Sequence, residues 1–160
     1  MIPYELLNNL HFIKGLDPVA DAFSGTVASD VVDLANHGSA LFLIYKGVGV
    51  TGTSTITVEA CDDIVPTNTT AIPFFSKNIT STDVQGAVTA RAAAGFTTTA
   101  GSSQMYAVQV AAEEVANAGY RYVRLKAVEV VDSPVLGGIA IALAAPRFGG
   151  SAGTSNSEID

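Results

Sequence analysis

Hydrophobic and polar positions along the chain fall into short apolar runs separated by turn residues, from residue 26 onward. Ser54 to Cys61 alternates cleanly, with Ile56, Val58 and Ala60 on one face and Thr55, Thr57 and Glu59 on the other. That period of two, with β-branched residues on both faces, predicts a strand. Met105 to Val110 alternates in the same way, placing Tyr106, Val108 and Val110 together. Ala40 to Val48 is instead apolar nearly throughout, which predicts a central strand buried on both faces. Val27 to Leu34 reads as a further strand, and Pro73 makes the Ile72 to Ile79 run start late or lie at an edge. Tyr120 to Val131 is the longest strand pattern. Val123, Leu125 and Ala127 oppose Tyr122, Arg124 and Lys126, and the phase breaks near Val128, as a bulge would produce. Gly137 to Ala145 carries Ile139, Ile141 and Leu143 on one face and only methyl groups, Ala140, Ala142 and Ala144, on the other.

Between these runs the signals are weaker. Gly47, Gly49 and Gly52 read as a hairpin-like connection. Val84 to Val88 and Phe96 to Thr99 read as short strands in a stretch rich in Thr, Ala, Ser and Gly, and Glu113 to Ala118 as one helical turn stopped by Gly119. Residues 1–25 carry mixed signals. Pro3 and Glu5 fit a helix start and Leu6, Leu10 and Ile13 keep helical spacing, yet Asn8, Asn9 and Pro18 work against a helix. The expectation is an N-terminal arm or short helix over 1–25, one domain over 26–148, and a disordered tail over 149–160. About eight strands without crossover helices predict an all-β fold. The expected architecture is an antiparallel β-sandwich, jelly-roll-like, with a barrel as the alternative.

Composition narrows the function classes. A chain of 160 residues suits one domain. The residues are 48% hydrophobic and only 14% charged, against a usual ~25%. So little polar surface points to self-association. The net charge of −7 argues against a nucleic-acid partner, which would need phosphate-neutralising side chains. No apolar run reaches the ~18 residues of a membrane helix, so no membrane partner is expected, and the N-terminus lacks the pattern of a secretory signal. One cysteine, Cys61, leaves no internal disulfide.

Candidate chemistry is sparse. His11 and His37 are the only histidines, and no nucleophile-elbow sequence accompanies them. Glu59, Asp62 and Asp63, or Glu113 and Glu114, are adjacent acids that a strand end and a solvated turn explain. Asp62 and Asp63 lack calcium-loop spacing. Gly47 to Gly52 spells GxGxxG, but β-patterned residues follow where a dinucleotide site needs a helix. No catalytic residue, metal site or cofactor is therefore expected. Arg121, Arg124 and Lys126 form the one basic stripe, with Arg124 and Lys126 on one strand face beside Tyr122, either a solvated sheet face or a contact for an acidic partner.

The segments GLDPVADAFSGTVASDVVDLANHG, GVTGTSTITVEACDD, AGFTTTAGSSQMYAVQV and AGYRYVRLKAVEVVDSPVLGGIAIAL resemble a family of small tailed-bacteriophage virion structural proteins, over roughly residues 10–148. The resemblance implies a non-enzymatic virion component assembled in the bacterial host cytoplasm. The first expectation is a capsid decoration (cement) protein on the capsid surface, bridging major capsid protein subunits to stabilise the head. A tail or head-tail connector component and a carbohydrate-binding β-sandwich module are the alternatives. On the decoration reading, Leu6, Leu7, Leu10, Phe12 and Ile13 are capsid-contact candidates on an arm that orders on binding, unless that segment packs on its own domain. Ala140, Ala142 and Ala144 are the subunit-interface candidates. A homotrimer would suit three-fold capsid positions, but the sequence specifies no number.

Overall fold

The alternating runs become the inner faces of a two-layer sandwich. The computed structural model describes residues 7, 9–49, 51–101 and 103–147. One sheet runs in the order β1 (His11–Val19), β13 (Gly137–Pro146), β4 (His37–Lys46), β11 (Gln104–Ala111) and β7 (Phe74–Ser81). Two short strands, β8 (Val84–Gln85) and β9 (Thr89–Arg91), share the outer edge of β7. The other sheet is centred on β12 (Tyr122–Val131) and β5 (Thr53–Cys61). Its edges are both broken: β2 (Thr26–Ala28) and β3 (Val32–Asp33) pair with β12, while β6 (Thr69–Ile72) and β10 (Phe96–Thr97) pair with β5. All pairings in both sheets are antiparallel.

Each broken edge fills one strand position, which leaves eight positions in chain order, with the strand β7 and its short partners appended. The sheets then read 1-8-3-6 and 2-7-4-5, the order of a jelly roll. Phe42 and Ile44 of β4, Ile141 and Leu143 of β13 and Tyr106 of β11 meet Ile56 and Val58 of β5 and Leu125 of β12, all fully buried. These are the inward faces that the period of two assigns. The helix α1 (Ala112–Asn117) carries the chain from β11 to β12, buries Ala112 and Val115, and is followed by Gly119 at φ +85°. The expected bulge appears as a register shift between Glu129 and Val131.

Three expectations need correction. Residues 11–19 are no free arm or helix: Leu7 and Asn9 are helical, but His11–Val19 is an edge strand in register with β13 from His11↔Leu143 to Val19↔Gly137. Apolar spacing at residues 10, 13 and 16 fits a strand once register shifts occur on both sides of Leu16. Gly47 to Gly52 does not close a hairpin, because β4 and β5 lie in different sheets. Glycine is required there by close packing: a Cβ at Gly52 would stand 2.4 Å from the Ser133 carbonyl oxygen. The Val27 to Leu34 strand is split: buried Ser29 bonds Leu125 with both its amide and its hydroxyl, and the next amide, of Asp30, turns away to donate to the Gly15 carbonyl. The tail expected over 149–160 lies outside the described residues, as does Leu6.

Candidate functional site

The first sheet presents an outer face that nothing among the described residues covers. The residues alternating with the core are Phe12 and Lys14 on β1, Ala140, Ala142 and Ala144 on β13, and Leu41, Leu43 and Tyr45 on β4. Met105, Ala107 and Gln109 on β11 and Phe75, Lys77 and Ile79 on β7 extend the same face. Register fixes the relief. Ala142 lies between Phe12 and Leu41, and Ala140 between Lys14 and Leu43. The methyl row is thus the floor of a trough whose walls are larger side chains. Ala140 is exposed, whereas Ala142 is only 3% exposed. At the end near Tyr45 the trough opens into a groove of about 640 Å³, also lined by Leu16, Pro18 and Leu136. Phe12 and Tyr45 remain 57% and 60% exposed. Of the arm candidates, Leu7 is exposed, Leu10 half-buried, Phe12 walls the trough and Ile13 lies in the core, so the structure brings Phe12 together with the alanines and separates it from Ile13.

The outer face of the second sheet is polar and internally paired. Arg124 stands opposite Glu59 in register and Lys126 is two residues further along β12. The Glu59 carboxylate accepts from Arg124 at 2.8 Å and from Lys126 Nζ at 2.9 Å. Burial raises its pKa, but the two hydrogen bonds and two positive charges outweigh burial and hold it below the usual value. Tyr122 lies beside them under the Arg121 guanidinium, which pairs with Asp33. The basic stripe is therefore real, but one shared acid neutralises half of it.

The remaining candidates have structural partners. The Asp62 carboxylate accepts from the Thr67 and Asn68 amides and from both their side chains. Those bonds hold its pKa well below the carboxylate range and close the 62–68 turn. Asp63 accepts from the Ile64 amide. Cys61 is buried, which pushes its thiol up to about 11, the opposite of nucleophilic activation. Among the described residues no three His, Cys, Asp or Glu side chains gather as a metal site requires. No helix among them is long and apolar enough to cross a membrane.

Lys46 is a site the sequence pattern misses. It closes an apolar run and is only 1% exposed, with Nζ donating to the Gly52 carbonyl at 2.9 Å, the Thr98 hydroxyl at 3.3 Å and the Thr99 carbonyl at 3.4 Å. Burial lowers its pKa. Beside it the Tyr106 hydroxyl donates to Gln104 and accepts from the Thr99 amide. The ammonium ties loop backbones near β5 and β10 to the end of β4, and it does not line the groove beside Tyr45. Inward alternation from Ala40 through Phe42 and Ile44 was the available signal. Compared with protein-family models, curated proteins and solved structures, the chain matches none of them.

Proposed function

We propose that the chain is a structural subunit of a tailed-phage virion, a decoration protein that binds the outer shell and bridges major capsid protein subunits. The observation that carries this reading is the pairing of a jelly-roll block with a broad, uncovered apolar sheet face. Jelly rolls recur in viral shells and in lectins, so the fold alone decides nothing. The sequence resemblance to virion structural proteins favours the first. A sugar site needs aromatic platforms together with free hydrogen-bonding groups, and the groove that Phe12 and Tyr45 line offers the Tyr45 hydroxyl beside Lys14 and Asp17, which already pair with each other. A building block needs what the chain has: rigid strands, few charges and a face for packing. On this reading Phe12 and Ile13 are not part of a free arm, since they belong to β1.

Quantitative mass spectrometry of purified virions, counting this chain against the major capsid protein, tests the reading. Hundreds of copies per particle are expected. A handful to several dozen would move the chain to the neck or tail, and complete absence would remove it from the virion.

A further inference from the structure

We propose that the outer face of the first sheet is a homodimer interface, in which the β4 ridge of one copy lies in the alanine trough of β13 on the other. This inference rests on one sheet face and stands whether or not the protein is a virion component.

Relief across the face alternates strand by strand. Phe12 is high on β1, Ala140 and Ala142 are low on β13, and Leu41, Leu43 and Tyr45 are high on β4. Ala107 is low on β11, and Phe75 and Ile79 are high on β7. A face with this corrugation matches itself when turned over and shifted by one strand. A two-fold axis parallel to the strands, between β4 and β13, does this. It seats Leu43 of each copy over the exposed Ala140 of the other, because those two residues are already level across the β4–β13 ladder. The result is an isologous contact between aligned sheets. The β13 trough is the better seat than β11, whose floor carries Met105 and Gln109 beside Ala107.

Area favours a second copy, and charge on this face permits one. Two chains of net charge −7 repel, so they must meet where the surface is neutral. Within the overlap of β1, β13, β4 and β11 the charged side chains facing outward are Lys14 and Asp17, which pair with each other at 3.0 Å. Four strands ~4.8 Å apart and about 30 Å long give roughly 570 Å² of flat face per copy, or about 1,150 Å² for the pair. That clears the ~1,000 Å² a specific interface needs, before the relief of the side chains is counted. Edge-to-edge pairing is blocked instead. Strand β1 carries Pro18 and register shifts on both sides of Leu16, and the outer edge of β7 is occupied by β8 and β9. Finally, β4 reads in sequence as buried on both faces, and only a partner on this side makes it so.

Sedimentation velocity of the purified full chain tests the proposal. The wild type is expected to dimerise, with dissociation at or below about 10 µM. Leu43→Asp and Ala140→Lys each place a charge in the apolar contact and are expected to weaken it at least about 100-fold. An equimolar mixture of the two is expected to restore a heterodimer, because the carboxylate introduced on one copy then faces the ammonium introduced on the other across the axis. Tyr45→Lys, at a 60% exposed position that cannot disturb the core, repeats the disruption if either variant fails to fold by circular dichroism. A wild type that stays monomeric to about 1 mM overturns the proposal, as does a dimer indifferent to these substitutions or a mixture that restores nothing. Virion copy number is read separately, so either reading can fail without the other.

Discussion

Replacing Lys46 by Met removes a buried ammonium while keeping its aliphatic stem. At neutral pH two effects oppose each other. Three acceptors lose a donor, at about 1–3 kcal/mol for each that stays dry. Against this, a desolvated charge disappears, and such replacements are often neutral or stabilising by about 1–4 kcal/mol. The pH dependence is cleaner. Burial depresses the folded-state pKa of Lys46 below the 10.5 of the unfolded chain. Between those two values the unfolded chain holds a proton that the folded chain has released, so wild-type stability rises with pH and levels off above 10.5. The slope tends toward about 1.4 kcal/mol per pH unit, which is ~3–6 °C of melting temperature for a chain of this size. Cys61 works the other way: its pKa is raised from 9.0 to about 11, so its contribution is lost as pH climbs through that range. Both proteins keep Cys61 on the opposite sheet, so its effect cancels in the difference. Urea denaturation of wild type and Lys46→Met from about pH 6 to 11 is the assay. The difference in unfolding free energy is expected to move steadily in favour of the wild type as pH rises. Parallel curves would mean that Lys46 is solvated and the three-acceptor cage is wrong.

Other perturbations have definite outcomes. Glu59→Gln strips the shared anion from Arg124 and Lys126 and is expected to cost about 1–3 kcal/mol in urea denaturation at neutral pH. Because the Glu59 pKa is lowered on folding, that difference is fully present above the unfolded value of 4.5 and shrinks as pH falls through the folded one. Gly95→Ala puts a Cβ 1.9 Å from the Ile56 carbonyl oxygen at φ +75°, so β10 must leave β5. Calorimetry is expected to show a loss of about 3 kcal/mol or more, or ~6–12 °C. Asp62→Ala removes four hydrogen bonds from the 62–68 turn, and hydrogen exchange of the Thr67 and Asn68 amides is expected to speed up while that of the β5 core amides stays put.

Local periodicity carried most of the fold. Ile56, Val58 and Ala60, Val123, Leu125 and Ala127, and Ile139, Ile141 and Leu143 all point inward as their alternation requires. What a period of two cannot state is which sheet a strand joins. Pro73 separates β6 from β7 and sends them to opposite sheets, and Gly52 sits where the chain crosses between sheets beneath Ser133. Edges were also hard to read. β1 looks helical because Leu6, Leu10 and Ile13 keep helical spacing into its start, and β10 is only two residues long, held by Phe96 in tilted ring contacts with Phe74 and Tyr106. In the candidate site, the methyl face of β13 was legible, while its walls were not, because Phe12, Leu41 and Leu43 become neighbours of those alanines only through pairing across three strands. Glu59 escaped notice as the partner of Arg124 and Lys126 for the same reason, since 65 residues separate it from Arg124.

The behaviour of β4 links fold to function. The outward residues of this strand, Leu41, Leu43 and Tyr45, stay only partly buried or exposed in an isolated sandwich, whose core takes Ala40, Phe42, Ile44 and Lys46 from the other face. Burying such side chains contributes roughly 25 cal/mol per Å² removed from water, which at about 1,150 Å² is enough gross driving force to overcome the entropy of association. The opposite sheet follows a different rule: it gives its outer face to threonines and to Glu59, Arg124 and Lys126, which pair with one another across β5 and β12. One apolar outer face and one polar outer face give the block a direction. A dimer formed through β1, β13, β4 and β11 leaves both polar sheet faces, the loop ends and the β7 margin of Phe75 and Ile79 outward, and if a shell meets the polar face, substitutions along Arg124 and Lys126 weaken attachment without altering dimerisation.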